Sequence, residues 1–467
     1  MRSYLLTLFS GLPLFTSWGV TPAGTDSPNI VVILADDLGS NELSCYGGEN
    51  LITPHIDRIA TEGMRFTNNY ASCAMSVPLR ASLYTGLYPA HHGSFQNHKA
   101  SYPDIKSVTH YLSQAGYRVG RAGKQHTNPR SVFDFEEISG FETICTSRTA
   151  EYTIDGIRKF ITKDNKPFCL FVCSIHPHAP WTWGNPEEFD KEKIVLPPNC
   201  VDNDETRELF RRYLAEIRAL DNEVGSVLEV LGSTGQLDNT LIIFLGEQGP
   251  KFPFGKWTCW QYGTHSAMLA RYPKTIKPRS TTDAIVQYED ILPTLMDFIG
   301  NGTIGQIDGR SFLPVLQGKK KEHRKWAYCM HNNVPEGNPY PVRSIQDKRY
   351  KLILNLKHDQ PFFLKHMMGK KNKDEMWESW LQQAGQNEQA RFLVDHYTTR
   401  PAIEFYDLKN DPWELNNIAT ERKHTKRIAT MQAALEKWMT EQGDTGAEMD
   451  IRKKQWDAYE KPSDEHK

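Results

Sequence analysis

Three short, mainly apolar runs constrain the fold more than any other feature of this sequence. They are rich in β-branched and aromatic residues and cover residues 29–35, 166–173 and 240–245. Such runs are typical of strands that are covered on both faces in a parallel sheet. An amphipathic helical segment from Tyr213 to Leu231 precedes the third run. The pattern therefore predicts an α/β fold, in which a large and mostly parallel sheet carries helices on both faces.

Polar residues follow each of these runs. In chain order they are Asp36 and Asp37, His176 and His178, and Glu247 and Gln248. Open α/β sheets bind their ligands at the carboxyl ends of the strands. Two neighbouring carboxylates at such a position repel each other unless a cation lies between them. The alternative is that one aspartate caps the next helix, which is a common use of Asp after a strand.

A serine stands at the predicted start of another helix. The sequence of residues 73–89 is CAMSVPLRASLYTGLYP, in which Pro78 and Arg80 follow Ser76 and Thr85-Gly86 closes the helix. Backbone N–H groups and the positive end of the helix dipole meet at a helix N-terminus, where they would stabilise an anion beside the hydroxyl. An ordinary Pro-initiated helix with a serine near its cap has the same local pattern.

Taken in order, the motifs resemble those of the sulfatases of the alkaline-phosphatase superfamily. They are Asp36-Asp37, the TPHID segment that begins at Thr53, Ser76-x-Pro78-x-Arg80 with its Leu-x-Thr-Gly tail, Gly123-Lys124-Gln125-His126, and Pro177-His178. The resemblance covers nearly the whole mature chain. It implies a catalytic domain over residues 25–318 and, after the charged run 319–325, a C-terminal subdomain over residues 326–467 with a short antiparallel sheet and a helix.

The resemblance also implies a role for each site residue. Ser76 would be oxidised to formylglycine, Arg80 would hold its hydrated form, and His126 would act as the base. Lys124 and Lys256 would bind sulfate oxygens, and His178 would donate the proton to the leaving group. The implied metal ligands are Asp36, Asp37, Ser76, Glu247 and Gln248. His98 and His176 are weaker candidates for contact with the substrate, and a plain surface position is an equal alternative for His176.

The pair Glu247-Gln248 is the main departure from the family pattern. Most sulfatases have Asp-Asn-Gly or Asp-His-Gly at this strand end, whereas this chain has a longer acid and a longer amide. A flexible oxygen-ligated Ca²⁺ site tolerates longer arms better than a strictly octahedral Mg²⁺ site. We therefore expect Ca²⁺, with Mg²⁺ as the alternative.

The N-terminus and the composition indicate an exported protein. Residues 1–24 contain a short basic start and an apolar run that is too brief to span a bilayer, which predicts a signal peptide. The formal net charge is −2, so the global balance does not indicate a nucleic-acid partner. The eight cysteines form neither a legible zinc motif nor a legible disulfide framework. Serine at position 76 resembles the bacterial class that anaerobic radical enzymes mature, which implies a periplasmic or secreted bacterial protein.

The substrate is less constrained than the reaction. The stretch 252–256 and the segment Gln96-Asn97-His98 resemble the heparan N-sulfatase branch and bacterial carbohydrate sulfatases. Four tryptophans near the site could stack on sugar rings or pack in the core; they are Trp181, Trp183, Trp257 and Trp260. This resemblance favours a sulfated-glycan exosulfatase, with O-sulfated and N-sulfated sugars both open. The alternatives are a phosphoester or phosphonate hydrolase of the same superfamily and a noncatalytic glycan-binding relative.

Overall fold

The computed structural model describes residues 27–146, 151–302, 304–369 and 376–451. The predicted signal peptide lies outside these ranges. The strands are β1 (Asn29–Leu34), β2 (Met64–Tyr70), β3 (Arg118–Gly123), β4 (Glu136–Ile138), β5 (Phe168–Cys173), β6 (Thr240–Leu245), β7 (His265–Arg271), β8 (Ser280–Thr282), β9 (Val286–Gln287), β10 (Ala327–His331), β11 (Val342–Gln346), β12 (Tyr350–Asn355) and β13 (Ile403–Asp407).

Helices connect most of these strands. They are α1 (Pro54–Thr61), α2 (Ser76–Thr85), α3 (Pro89–His92), α4 (Val108–Gln114), α5 (Asp155–Ile161), α6 (Asp204–Ser233), α7 (Gln261–Thr264), α8 (Ile291–Phe298), α9 (Leu313–Leu316), α10 (Lys365–Met368), α11 (Met376–Ala384), α12 (Glu388–Thr398) and α13 (Thr425–Glu441). Among the described residues, none of the helices combines the length and the hydrophobicity that crossing a membrane requires.

The large sheet contains the strands that the apolar runs predict. Its nine strands have the order β4-β3-β5-β1-β6-β7-β2-β8, and β9 pairs with β2. The central strand β1 is parallel to both β5 and β6. Strand β7 is antiparallel to β6 and to β2, so β2 points the same way as β6. The mostly parallel sheet is thus confirmed, and the segment that follows β2 leaves the sheet at the same edge as those that follow β1, β3, β5 and β6.

The hydrophobic core lies on both faces of this sheet. The apolar runs predict this, because apolar and polar residues do not alternate along them. Val31 and Ile33 of β1 belong to one buried cluster, which includes one face of α6, and Ile30 and Val32 belong to the other. Complete burial of each such side chain contributes about 1.5–3 kcal/mol. A strand covered in this way can present polar groups only beyond its end, and this restricts the site to the edge of the sheet.

A second, smaller sheet follows in the chain. Strands β10, β11, β12 and β13 are antiparallel neighbours in that order. The apolar face of α13, with Met431 and Leu435, packs against Ile345 and Leu352 of this sheet. The predicted α/β fold with a small antiparallel sheet and helix is therefore confirmed.

Two details of the C-terminal part concern how its segments begin and are anchored. Helices α11 and α12 are separate, because Asn387 accepts a hydrogen bond from the backbone N–H of Ala390 and so starts a new helix. The charged run 319–325 is not solvated throughout. Arg324 is buried and donates to Asp290 at 2.6 Å, which anchors the end of the run to the large domain.

Candidate active site

The predicted site residues meet at one edge of the large sheet. Asp36 and Asp37 follow β1, Lys124 follows β3, His178 follows β5, and Glu247 follows β6. These four strands are parallel neighbours, so their carboxyl ends lie side by side. The convergence follows from the chain direction of the strands.

Ser76 stands at the first position of α2, and its hydroxyl lies at the centre of this group. The residue is buried, and its Oγ donates to Glu247 Oε2 at 2.7 Å. Three further polar atoms lie close to it, namely Asp36 Oδ1 at 3.5 Å, Lys124 Nζ at 3.5 Å and Gln248 Nε2 at 3.4 Å. One hydroxyl at a helix N-terminus thus faces acids, a cation and an amide at once.

Three buried carboxylates in this cluster are each paired with a buried cation. The pairs are Lys124 Nζ with Asp36 Oδ2 at 2.6 Å, Lys256 Nζ with Asp37 Oδ1 at 2.8 Å, and Arg80 Nε with Glu247 Oε1 at 2.6 Å. The formal charges of the six groups therefore cancel. Because the pairs are out of water, loss of one partner would leave an uncompensated buried charge.

The pKa shifts reflect this pairing. Burial raises the pKa of Glu247, although the Arg80 guanidinium opposes the shift. Burial alone would lower the pKa values of Arg80 and Lys124. The negative charge of Glu247 is the main cause that raises the pKa of Arg80, and that of Asp36 is the main cause that raises the pKa of Lys124. Both cations accordingly stay charged near neutral pH.

The cluster fits an oxygen-ligated cation. Asp36, Asp37 and Glu247 each offer a carboxylate oxygen, and these oxygens lie within 4.8 Å of one another. The amide oxygen Oε1 of Gln248 is buried and has no hydrogen-bond partner among the described residues. Three carboxylates and a spare amide oxygen are the hard donors that Ca²⁺ and Mg²⁺ prefer.

Two histidines with low pKa values lie above this cluster. Burial lowers the pKa of His178 well below its usual value, and Lys256 and Lys124 add to the effect. Burial and the charge of Lys124 likewise lower the pKa of His126 well below its usual value. His178 Nε2 is 3.6 Å from Asp37 Oδ2, and His126 Nδ1 is buried without a hydrogen-bond partner in the described part of the chain.

A cleft of about 840 Å³ opens over these residues. Lys124, His126, His178 and Lys256 line it. Ser76 is not part of the lining, but the neighbouring Lys124 is, so the hydroxyl lies just below the cleft floor. A volume of this size accommodates a sugar-sized ligand.

The two weaker candidates occupy different places. His98 lines the cleft, and its Nδ1 is 3.3 Å from His126 Nε2. The imidazole of His176 is buried and does not line the cleft. Its Nδ1 is 2.6 Å from Glu216 Oε2, and its Nε2 is 3.7 Å from Glu223 Oε1. Of the two histidines, His98 alone is brought to the site.

The tryptophans also divide between core and cleft. Trp181 stacks on Phe252 with ring centroids 4.8 Å apart, and Trp260 is fully buried, so both pack in the core. Trp183 lines a separate, much smaller cavity. Trp257 lines the cleft, and Lys256 Nζ lies 5.0 Å from the centroid of its ring.

Sequence reasoning missed two cleft residues from the C-terminal part, Glu336 and His366. Neither follows a buried strand of the large sheet, so neither had a positional signal. A second feature outside the sequence pattern is backbone strain: Asp37, His126 and Trp257 have φ values of 61°, 48° and 68°. Non-glycine residues in this region are uncommon and cluster at functional sites.

Comparison with known proteins identifies the family. The profile described as Sulfatase matches residues 28–301, and one described as N-sulphoglucosamine sulphohydrolase, C-terminal, matches residues 249–378. An ulvan-active sulfatase of Formosa agariphila is 33% identical over 428 residues, which cover 90% of this chain and 81% of that protein. The chain belongs to the sulfatase family. It is thus a sulfuric ester hydrolase.

Two further likenesses agree with the observed fold. The human N-sulphoglucosamine sulphohydrolase is 28% identical to this sulfatase, over 89% of this chain and 90% of that protein. A protein solved in complex with its substrate D-glucosamine-2-N,6-O-disulfate superposes with a TM-score of 0.69 at 23% identity, over 90% of this chain and 99% of that one. At 23% identity, this structural likeness supports the fold alone.

Proposed function

We propose that this sulfatase removes sulfate groups, as O-sulfate esters or N-sulfates, from carbohydrates outside the bacterial cytoplasm. The observation that carries the proposal is the position of the Ser76 hydroxyl, which lies within 3.5 Å of Asp36, Lys124, Glu247 and Gln248. The names of the relatives support a carbohydrate, since one is called ulvan-active and another an N-sulphoglucosamine sulphohydrolase.

Residue 76 would carry the nucleophile. When Ser76 is oxidised to formylglycine by an anaerobic radical-type maturation enzyme, the hydrated aldehyde supplies one oxygen to attack sulfur and a second hydroxyl that later expels sulfate. An unmodified serine has one hydroxyl and no such exit. The remaining residues bind, orient and move protons around this position.

Each of the other site residues would have a separate role. Arg80 would orient the group at position 76, and His126, whose pKa is lowered by burial, would accept its proton. Lys124 and Lys256 both line the cleft and border the floor, so they would bind the sulfate oxygens. His178, on the same lining, would protonate the departing oxygen or nitrogen, because a bound anionic sulfate ester would offset the charges of Lys256 and Lys124, which, besides burial, lower its pKa.

A divalent cation would complete the site. Asp36, Asp37, Glu247 and Gln248 would hold it, and its charge would lower the pKa of the hydroxyl at position 76. We favour Ca²⁺ over Mg²⁺ because of the longer arms of Glu247 and Gln248. The charges of the paired groups cancel, so a bound cation would leave a positive excess that attracts the anionic sulfate ester.

The proposal is tested by producing the protein together with a radical-type maturation enzyme. Mass spectrometry of the peptide that contains Ser76 should find the loss of two hydrogens, and ion chromatography should detect sulfate from glucosamine 6-O-sulfate, N-sulfoglucosamine or galactose 6-sulfate. The Ser76→Ala protein is the matched control. Turnover of a phosphate or phosphonate ester without sulfate release would favour the superfamily alternative. Sugar binding with an unmodified Ser76 and no bound metal would favour a noncatalytic relative.

A further inference from the structure

One wall of the cleft, next to His126, is built around a buried carboxylate. Glu336, in the loop between β10 and β11, is 1% exposed. Its Oε1 accepts a hydrogen bond from Asn97 Nδ2 at 2.8 Å and lies 3.7 Å from His98 Nε2, while His366 Nε2 contacts Oε2. Burial alone would raise the pKa of Glu336, but His366, Asn97 and His98 together lower it to about 2.

The side chains held by this carboxylate face the cleft. The side chains of His98 and His366 are 50% and 49% exposed, and both line the cleft together with Trp257. The ring of Trp257 stacks on that of His366, with centroids 6.1 Å apart and an angle of 19°. Trp257 itself is only 5% exposed, so its ring supports His366 from behind instead of offering a face to a ligand. The two accessible imidazoles are groups that bind the hydroxyls of a sugar.

This wall is continuous with the sulfate site and draws on both parts of the chain. His98 connects it to His126 through the 3.3 Å contact, and Trp257 follows Lys256 directly. The position of His366 is fixed through α10, because the backbone N–H of Lys365 donates to the carbonyl oxygen of Glu336 at 2.9 Å. Glu336 thereby holds a loop of the large domain and a helix of the C-terminal part in register.

We propose that His98 and His366, the latter supported by Trp257, form a subsite for the hydroxyl-bearing sugar ring that carries the sulfate, and that Glu336 is its positioning residue. The inference rests on the proposed sulfatase function and extends it to the sugar. His98 and His366 bind the ring hydroxyls, and Trp257 holds the His366 imidazole in place. Lys124 and Lys256 bind the sulfate, so the cleft fixes the direction in which the substrate lies.

The test compares a sulfated sugar with an aryl sulfate, which carries a sulfate but no ring hydroxyls. Glu336→Gln and His366→Ala should each lower kcat/KM for the sulfated sugar by about tenfold more than for 4-nitrophenyl sulfate, mainly through KM, since each removes an anchor of one or two hydrogen bonds. Glu216→Gln is the matched control, because it alters another buried carboxylate that contacts a histidine but does not line the cleft. Equal losses on both substrates, or no loss, would overturn the subsite.

A binding measurement keeps this outcome separate from that of the proposed function. Calorimetry on the Ser76→Ala background should show that Glu336→Gln and His366→Ala weaken binding of the sulfated sugar by about tenfold while binding of inorganic sulfate is retained. His366→Ala removes a half-exposed side chain, so it tests the subsite even if Glu336→Gln folds poorly. Unchanged sugar affinity in a folded His366→Ala protein would overturn the inference, whether or not the unmutated enzyme releases sulfate.

Discussion

Replacement of Glu247 by glutamine is the sharpest test of the cation site, because it removes one of three converging charges and keeps the shape. In the structure Glu247 is fully buried and contacts both Ser76 Oγ, at 2.7 Å, and Arg80 Nε, at 2.6 Å. The substitution therefore has two effects. One is independent of metal and concerns the pair with Arg80, and the other is the loss of a ligand.

The two effects can be given magnitudes. Breaking a buried ion pair by removing one partner costs about 3–5 kcal/mol. In Glu247→Gln the amide oxygen of the new glutamine still accepts a hydrogen bond from Arg80, so we expect a cost of about 3 kcal/mol or less. A cation present at 100 times its Kd stabilises the folded protein by about 2.7 kcal/mol. Loss of a partner outside the coordination shell weakens metal binding by about 10–100-fold, so we expect about 100-fold for a direct ligand. At the same cation concentration the stabilisation then falls to about 0.4 kcal/mol.

The assay measures unfolding with Ca²⁺ and with EDTA for both proteins and takes the difference between the two conditions. The Arg80 effect is present in both conditions and cancels. The metal-dependent stabilisation should thus drop by about 2.3 kcal/mol in Glu247→Gln and should be retained in Glu216→Gln. Metal content by mass spectrometry gives an independent readout. A Glu247→Gln protein with the full Ca²⁺ effect and full metal occupancy would refute the assignment of Glu247 as a ligand.

Three further outcomes are expected. Ser76→Ala should abolish sulfate release while changing the free energy of unfolding by only about 1 kcal/mol, since one hydrogen bond is lost; activity above about a tenth of the unmutated enzyme would contradict the nucleophile. Burial raises the pKa of Glu42 to about 7, so the folded protein keeps a proton that the unfolded chain releases near pH 4.3, and stability falls between these values as pH rises. Glu42→Gln should accordingly be more stable than the unmutated protein at pH 8, by up to about 3 kcal/mol, and the two should converge at pH 4 in denaturant titrations. Arg324→Leu should destabilise the protein by about 3–5 kcal/mol because it leaves Asp290 charged and buried, and the double variant with Asp290→Leu should recover part of the loss; equal stability of the single variant would show that the pair contributes little.

The sequence predicted the sheet well because its strands are set by burial. The run at 240–245 coincides with β6, and the run at 29–35 exceeds β1 by one residue. A strand with both faces covered must be apolar at every position, and this pattern is readable without any knowledge of long-range contacts. The same logic located Asp36 and Glu247, since polar groups can stand only where such a strand ends.

The cleft wall around Glu336 was not predictable by this logic. Glu336 lies in a loop between two strands of the small sheet, and His366 lies on a four-residue helix. No periodicity marks either residue, and each lines the cleft only because the C-terminal part folds against the large domain. His98 was a weak candidate for the same reason, because its loop has no strand end to identify it. Residues placed by tertiary packing leave a much fainter trace in a sequence than residues placed by a strand.

The pairing of charges at the cleft floor also explains how these carboxylates can be buried together before a metal ion binds. Three carboxylates whose oxygens lie within 4.8 Å of one another would repel one another strongly in a buried environment. In this chain each is bonded to its own cation, so the repulsion is cancelled by residues that the polypeptide itself supplies. These ion pairs therefore compensate the buried negative charges without a bound ion. Because Lys124 and Lys256 bind the carboxylates and also line the cleft, a cation that takes over those carboxylates would free the two lysines to bind the sulfate.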